Sequence, residues 1–197
     1  MNKILIAAPA LFIAYGLVRW IDGADGNHGP GIAWTIGHLF FLAGFLLYAV
    51  VLVALRRAIV RLRLLASVAL VAGLIGVVAF VRVIIIDLIV GIRASDRVEM
   101  SRLGDGYDRW PGNLGIYDTF YTIGPALFLA GFLTLAILLT RLRLPAWSPV
   151  LLVLGFAAIT INLDLMPLGG ALLLVALLPF TSNAVRAKSR DEAQSVL

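Results

Sequence analysis

LASVALVAGLIGVVAFVRVIIIDLIVG, residues 65–91, holds only two ionisable side chains, Arg82 and Asp87, in 27 positions. A bilayer core about 30 Å thick is crossed by roughly 20 apolar residues in helical conformation. This run is therefore long enough to span a membrane and too uniformly apolar for the core helix of a soluble domain. The rest of the chain agrees. It is 61% hydrophobic and 14% charged, with a mean hydropathy of +1.02, whereas soluble domains carry roughly a quarter charged residues. Lipid must cover much of this apolar surface, so the predicted fold is an all-α polytopic transmembrane bundle.

Moving outward from 65–91, five further spans are expected. Residues 32–55 and 117–140 lie on either side of it. Residues 3–21 begin like a signal peptide, with Lys3 and a run of apolar and small residues, but the apolar run is long enough to span and is read as the first transmembrane helix. The segment 148–186 is broken near its middle by Asn162, Asp164, Pro167, Gly169 and Gly170. A turn at LDLMPLGG would leave two short spans, about 148–163 and 168–183, and a re-entrant hairpin is the alternative. The whole chain, 1–197, reads as one integral membrane domain with a hairpin at about 3–56, a second at about 65–141, a C-terminal hairpin at about 148–186 and a tail at 187–197.

The basic residues orient this plan. Lys3, then Arg56, Arg57, Arg61 and Arg63, then Arg141 and Arg143, and finally Arg186, Lys188 and Arg190 all fall on one side if there are six spans. Excess Lys and Arg mark the cytoplasmic side, so both termini are expected inside. Five spans would strand the basic tail outside. Trp20, Trp34, Tyr107, Trp110, Tyr117 and Tyr121 gather at the opposite ends, as an interfacial aromatic belt would. The expected location is a plasma (inner) membrane, and the Arg-over-Lys, Ala/Leu/Val-rich usage suggests a bacterial source. The net charge of +5 comes mainly from arginines capping apolar helices, which reads as topology and not as nucleic-acid binding.

Two spans share a string. Thr35–Leu46 reads TIGHLFFLAGFL and Thr122–Leu133 reads TIGPALFLAGFL, with nine of twelve positions identical. The loops before them also correspond, Asp22-Gly-Ala-Asp25 with Asp105-Gly-Tyr-Asp108. The reading is a duplicated helix hairpin, spans 1–2 and 3–4, in parallel orientation, with an insertion in the second loop. Gly37 and Gly44, like Gly124 and Gly131, are seven residues apart, hence on one helix face, where small residues let backbones approach.

Polar residues inside spans are costly and face the bundle interior or water. Here they crowd toward the side opposite the arginine clusters: Arg19 and Asp22 at the end of the first span, His38 in the second, Arg82 and Asp87 in the third, Asp118 opening the fourth, and Asn162 and Asp164 closing the fifth. Together they predict a polar pocket open to the outside. Arg82 needs a partner carboxylate, with Asp22, Asp118 and Asp164 better placed than Asp87. Arg19 and Asp22, three apart on one face, read as an interfacial pair. His38 reads first as an interhelical hydrogen-bonding group, with a proton-responsive role second. Ser95 to Leu103 reads as a short interfacial helix capped by Ser95, with Asp96 in its first turn.

No cysteine is present, which excludes disulfides, thiolate metal sites and cysteine nucleophiles. There is no Walker loop, HExxH or GxSxG, and the acidic loops lack EF-hand spacing. No cofactor and no metal are expected. The sequence is read as a non-enzymatic accessory or binding subunit whose partners are the bilayer and either a larger membrane complex or further copies of itself. A small transporter or ion pathway is the alternative, and an outer-leaflet enzyme acting on lipid or quinone a second.

Overall fold

The structure, a computed structural model, describes residues 2–108, 119–141 and 145–181. Among these residues every regular element is helical. The helices are α1 (Asn2–Asp22), α2 (Ile32–Ala58), α3 (Arg63–Arg93), α4 (Arg97–Asp108), α5 (Gly124–Thr140), α6 (Trp147–Ile161) and α7 (Met166–Leu177). A π-helical turn, Thr119–Ile123, leads into α5. A 3-10 turn, Leu163–Leu165, joins α6 to α7, and another, Leu178–Thr181, follows α7.

Five helical segments are long and apolar enough to cross a membrane: Lys3–Asp22, Ile32–Ala58, Arg63–Arg93, Tyr121–Thr140 and Leu163–Thr181. The sixth, α6, has 15 residues, or about 22 Å of helix, short of a 30 Å core. The break before α7 is tighter than the sequence suggested. Asn162 is extended, and its side-chain oxygen accepts the Asp164 N–H at 2.8 Å. The chain then turns through a single 3-10 turn, so α7 starts at Met166 and not near 168. Pro167 is tolerated because it falls in the first turn, where a backbone N–H has no intrahelical acceptor. The two arms lie antiparallel: Ser148 Oγ donates to Ala176 O near one end, and Gly155 and Ile159 meet Gly169 near the other.

The long helices form a closed ring in which α1 packs on α2, α2 on α3, α3 on α5, α5 on α6, α6 on α7, and α7 back on α1. The interior is filled by aromatic rings. Phe45 lies 5.0 Å from Phe12 and 5.4 Å from Phe128 between centroids. Tyr48 lies 5.9 Å from Phe128 and 5.6 Å from Phe132. Most of these pairs are tilted or edge-on, the geometry aromatic quadrupoles favour. The outer surface is equally apolar. Along α3, Val68, Val71, Ile75, Val78 and Ile85 are all exposed, at the three- and four-residue steps of one helix face. Such a stripe suits a lipid solvent.

The ring sorts charge by end. Arg56, Arg57, Arg61 and Arg63 sit at the turn between α2 and α3, where Arg56 Nε donates to Ser67 Oγ at 3.0 Å and Nη1 to Ile59 O at 3.3 Å. Arg141, after α5, is at the same end. Arg143, Arg186, Lys188 and Arg190 lie outside the described residues. The opposite end carries Arg19, Asp22, Asp87 and Asp164 together with α4.

Candidate ligand pocket at the polar end

Several chain segments meet at the polar end. The last turn of α1 supplies Arg19 and Asp22. The α6–α7 turn supplies Asp164, whose backbone O accepts from Trp20 Nε1 at 2.8 Å. With that turn held, the Asp164 carboxylate meets Arg19 Nε at 2.9 Å. Arg19 and Asp22 are therefore not a pair, as their spacing had suggested. Asp22 faces His28 instead, Oδ2 to Nδ1 at 3.3 Å, and His28 Nε2 lies 3.7 Å from Asp164 Oδ1. One loop imidazole thus stands between two carboxylates from different helices.

The first turns of α2 add Trp34 and His38. His38 is buried, 5% exposed. Its Nδ1 donates to Trp34 O at 2.8 Å, one helical turn back. That bond fixes the ring so that Nε2 faces Asp87 Oδ2 on α3 at 3.7 Å. Trp34 stacks on His38 with centroids 4.2 Å apart, and its Nε1 donates to Asp87 O at 3.0 Å. The indole therefore ties α2 to the end of α3.

α4 folds back over this end. Its N-terminus is a reciprocal cap: Asp96 Oδ1 accepts the Glu99 N–H at 2.9 Å, and Glu99 Oε2 accepts from Ser95 N at 2.8 Å and Ser95 Oγ at 2.7 Å. The capping residue is Asp96, one later than the Ser95 expected from the sequence, because Glu99 captures both Ser95 donors. Those bonds hold the Glu99 carboxyl below its usual value. Arg97 then reaches the loop after α1, donating from Nη1 to Asn27 Oδ1 at 2.6 Å and from Nη2 to His28 O.

Between α4 and the ends of α2 and α3 lies a cavity of about 480 Å³, within the range of small-molecule sites. Arg19, His28, Asp87 and Arg97 give it charge and hydrogen-bonding groups; Trp34, Ile86, Val90, Met100 and Tyr121 give it apolar and aromatic walls; Ser101 and Gly104 of α4 complete it.

The structure thus gathers five of the eight residues singled out in the sequence: Arg19, Asp22, His38, Asp87 and Asp164. Asn162 is nearby but caps its own turn. Arg82 is separate. It continues the exposed face of α3 and is covered by α4, with Nη2 donating to Tyr107 O at 3.4 Å. Of the carboxylates expected to partner it, Asp22 and Asp164 are engaged by His28 and Arg19. Asp118 lies outside the described residues. His28 and Arg97 were missed because nothing in a loop or a short polar helix marks a residue as part of a distant cluster. Their one sequence signal was an Asn-His step beside a glycine-rich turn. Among the described residues no group of three or more His, Asp or Glu side chains could hold a metal ion.

No protein-family model, curated protein or solved structure matches this chain.

Proposed function

We propose that this chain is a non-enzymatic binding or accessory subunit of a bacterial plasma membrane, with both termini in the cytoplasm and the polar-end cavity facing outside. The observation that carries the reading is the cavity itself, a concave volume lined by α1, α2, α3, α4, the loop after α1 and the π turn before α5, and placed where the helices end. Six spans are part of the proposal: α6 lies beside α7 along its length, and six crossings put every arginine-rich turn on one side. The duplicated hairpin is also part of it, supported by the shared string and by the pairing of α1 with α2 and of α3 with α5.

The packed interior speaks against a transport route within one copy. Phe12, Phe45, Tyr48, Phe128 and Phe132 are all nearly inaccessible and fill the centre below the cavity. An accessory subunit needs no such route.

Two measurements test the reading. The chain has no native cysteine, so Ser101→Cys should react with a membrane-impermeant maleimide added to intact cells, and Arg61→Cys only after permeabilisation. The reverse pattern refutes the orientation. Gentle solubilisation should recover the chain with a partner in fixed stoichiometry. A monodisperse lone protein that moves solute in liposomes would reject the accessory role in favour of transport.

A further inference from the structure

The chemistry of the cavity wall narrows the ligand class. Besides His28, the lining carries two arginines, Arg19 and Arg97, and one carboxyl group, Asp87. Asp22 and Asp164 stand outside the lining, against His28 and Arg19. Arg97 is held by two neutral acceptors, the Asn27 side-chain oxygen and the His28 carbonyl. They orient its guanidinium without cancelling its charge. A guanidinium has five N–H donors in a planar fork matched to carboxylate and phosphate oxygens, so these bonds leave donors to spare. Arg19 also lines the cavity, but its Nε is paired with Asp164, so Arg97 carries the charge that no carboxylate among the described residues answers. Val90 on α3, Met100 on α4 and the Trp34 ring add apolar surface to the lining. The cavity sits where the apolar helices end, the depth of a membrane's headgroup layer.

From these contacts we propose that the cavity binds an anionic amphiphile, with its phosphate or carboxylate at Arg97 and Arg19 and its apolar portion against Trp34, Val90 and Met100. This rests on the reading of the cavity as a ligand site and adds the ligand's chemistry. A headgroup of a leaflet lipid and a free alkyl phosphate present the same groups.

The test uses the full chain in dodecyl maltoside, with hexyl phosphate, hexanol, hexyltrimethylammonium and inorganic phosphate as calorimetric probes. Hexyl phosphate should bind saturably and at least about tenfold tighter than the other three, the scale of one charge-assisted hydrogen-bonding group. Arg97→Gln should weaken it by about tenfold or more, and Arg97→Lys should recover part of the loss. Gly104→Trp should abolish binding while leaving the thermal transition in place, because among the described residues a Cβ at Gly104 meets nothing within 4 Å. If hexanol or hexyltrimethylammonium binds as well as hexyl phosphate and Gly104→Trp blocks it, the cavity is a ligand site but the anionic class is wrong. Inorganic phosphate binding as tightly as hexyl phosphate removes the apolar half of the proposal. If no probe binds, or Gly104→Trp changes nothing, both the inference and the ligand-site reading fall. Native mass spectrometry assigns the source: phosphatidylglycerol retained by the wild type and lost in Gly104→Trp makes it a leaflet lipid, and equal retention makes it a soluble amphiphile.

Discussion

The string at Thr35–Leu46 and its counterpart at Thr122–Leu133 start from nearly the same residues and reach different ends. Their shared positions take matching places. Gly37 and Gly44 of α2 face Tyr15 and Phe12 of α1, while Gly124 and Gly131 face Gly76 and Gly73 of α3. Phe41 and Phe45 join the aromatic core, as do Phe128 and Phe132. Their fourth positions diverge. His38 donates a ring N–H to Trp34 O and turns its other nitrogen to Asp87. Pro125 has no N–H, and the helix before it widens into a π turn, as expected where the regular ladder loses a donor. The common residues carry packing; of the three that diverge, His38 helps hold the polar end together.

The glycines offer the largest test of how alike the two hairpins are. A Cβ on Gly131 would lie 2.3 Å from Ala69 O and 2.5 Å from Gly73 N, both backbone atoms that cannot step aside. On Gly44 it would lie 2.8 Å from the Phe12 ring, and on Gly37 3.4 Å from Tyr15 and Val18. We expect Gly131→Ala to cost about 3 kcal/mol, the upper end for overpacking, and Gly44→Ala about 1–2 kcal/mol as the Phe12 ring shifts. Gly37→Ala should be near neutral, since about 1 kcal/mol of helix propensity offsets slight crowding. Melting in detergent ranks the three. Gly44→Ala proving as damaging as Gly131→Ala would mean that the hairpins are packed equally tightly, against the backbone distances.

The next effect belongs to the pocket side. Arg19 and Asp164 tie α1 to the α6–α7 turn, with side chains 17% and 47% exposed. Partial exposure keeps such a pair modest, so a double-mutant cycle on Arg19→Gln and Asp164→Asn should return a coupling of about 1 kcal/mol. No coupling, together with a clear loss of stability in Trp20→Phe, would show that the Trp20 bond to Asp164 O holds this corner by itself.

These contrasts mark what the sequence could and could not say. The bundle was legible because lipid imposes one requirement, long apolar helices, that shows directly in 65–91. The shortness of α6 also follows from the string around Asn162. The polar end was legible as a place, since ionisable residues in spans are rare enough to count. Its pairings were not legible, because they depend on approach. Arg19 prefers Asp164 over the nearer Asp22 only because Asn162 and Trp20 hold the α6–α7 turn against α1. Arg82 bonds Tyr107 O of α4, because α4, a polar segment with no apolar period to fix its path, folds back over it. His28 and Arg97 stayed hidden for the same reason: loops and short polar helices carry no pattern that ties them to a distant helix.

α4 itself is what the second hairpin has and the first lacks, and its cap is the smallest effect to test. Ser95 Oγ and N–H bond to the Glu99 carboxylate and lower its pKa from the usual value near 4.5. A lowered carboxyl pKa in the folded state stabilises the fold above the unfolded-state pKa, and that stability is lost as the pH falls through the folded value. The Glu99 side chain is only partly exposed and hydrogen-bonds within the first turn alone, so the effect should stay local to the start of α4. Hydrogen exchange, corrected for intrinsic rates, should show α4 amides protected near neutral pH and progressively less so as the medium is acidified below the usual glutamate pKa. α1 and α2 should not respond. In Glu99→Gln, protection at neutral pH should drop toward the acidic wild-type level, and the pH response of α4 should shrink. A wild-type response that survives intact in Glu99→Gln would show that the Ser95–Glu99 bonds are not its source. A response that spreads into α1 and α2 would mean that α4 is continuous with the body of the bundle, and the contrast between a bare first hairpin and an elaborated second would no longer describe this protein.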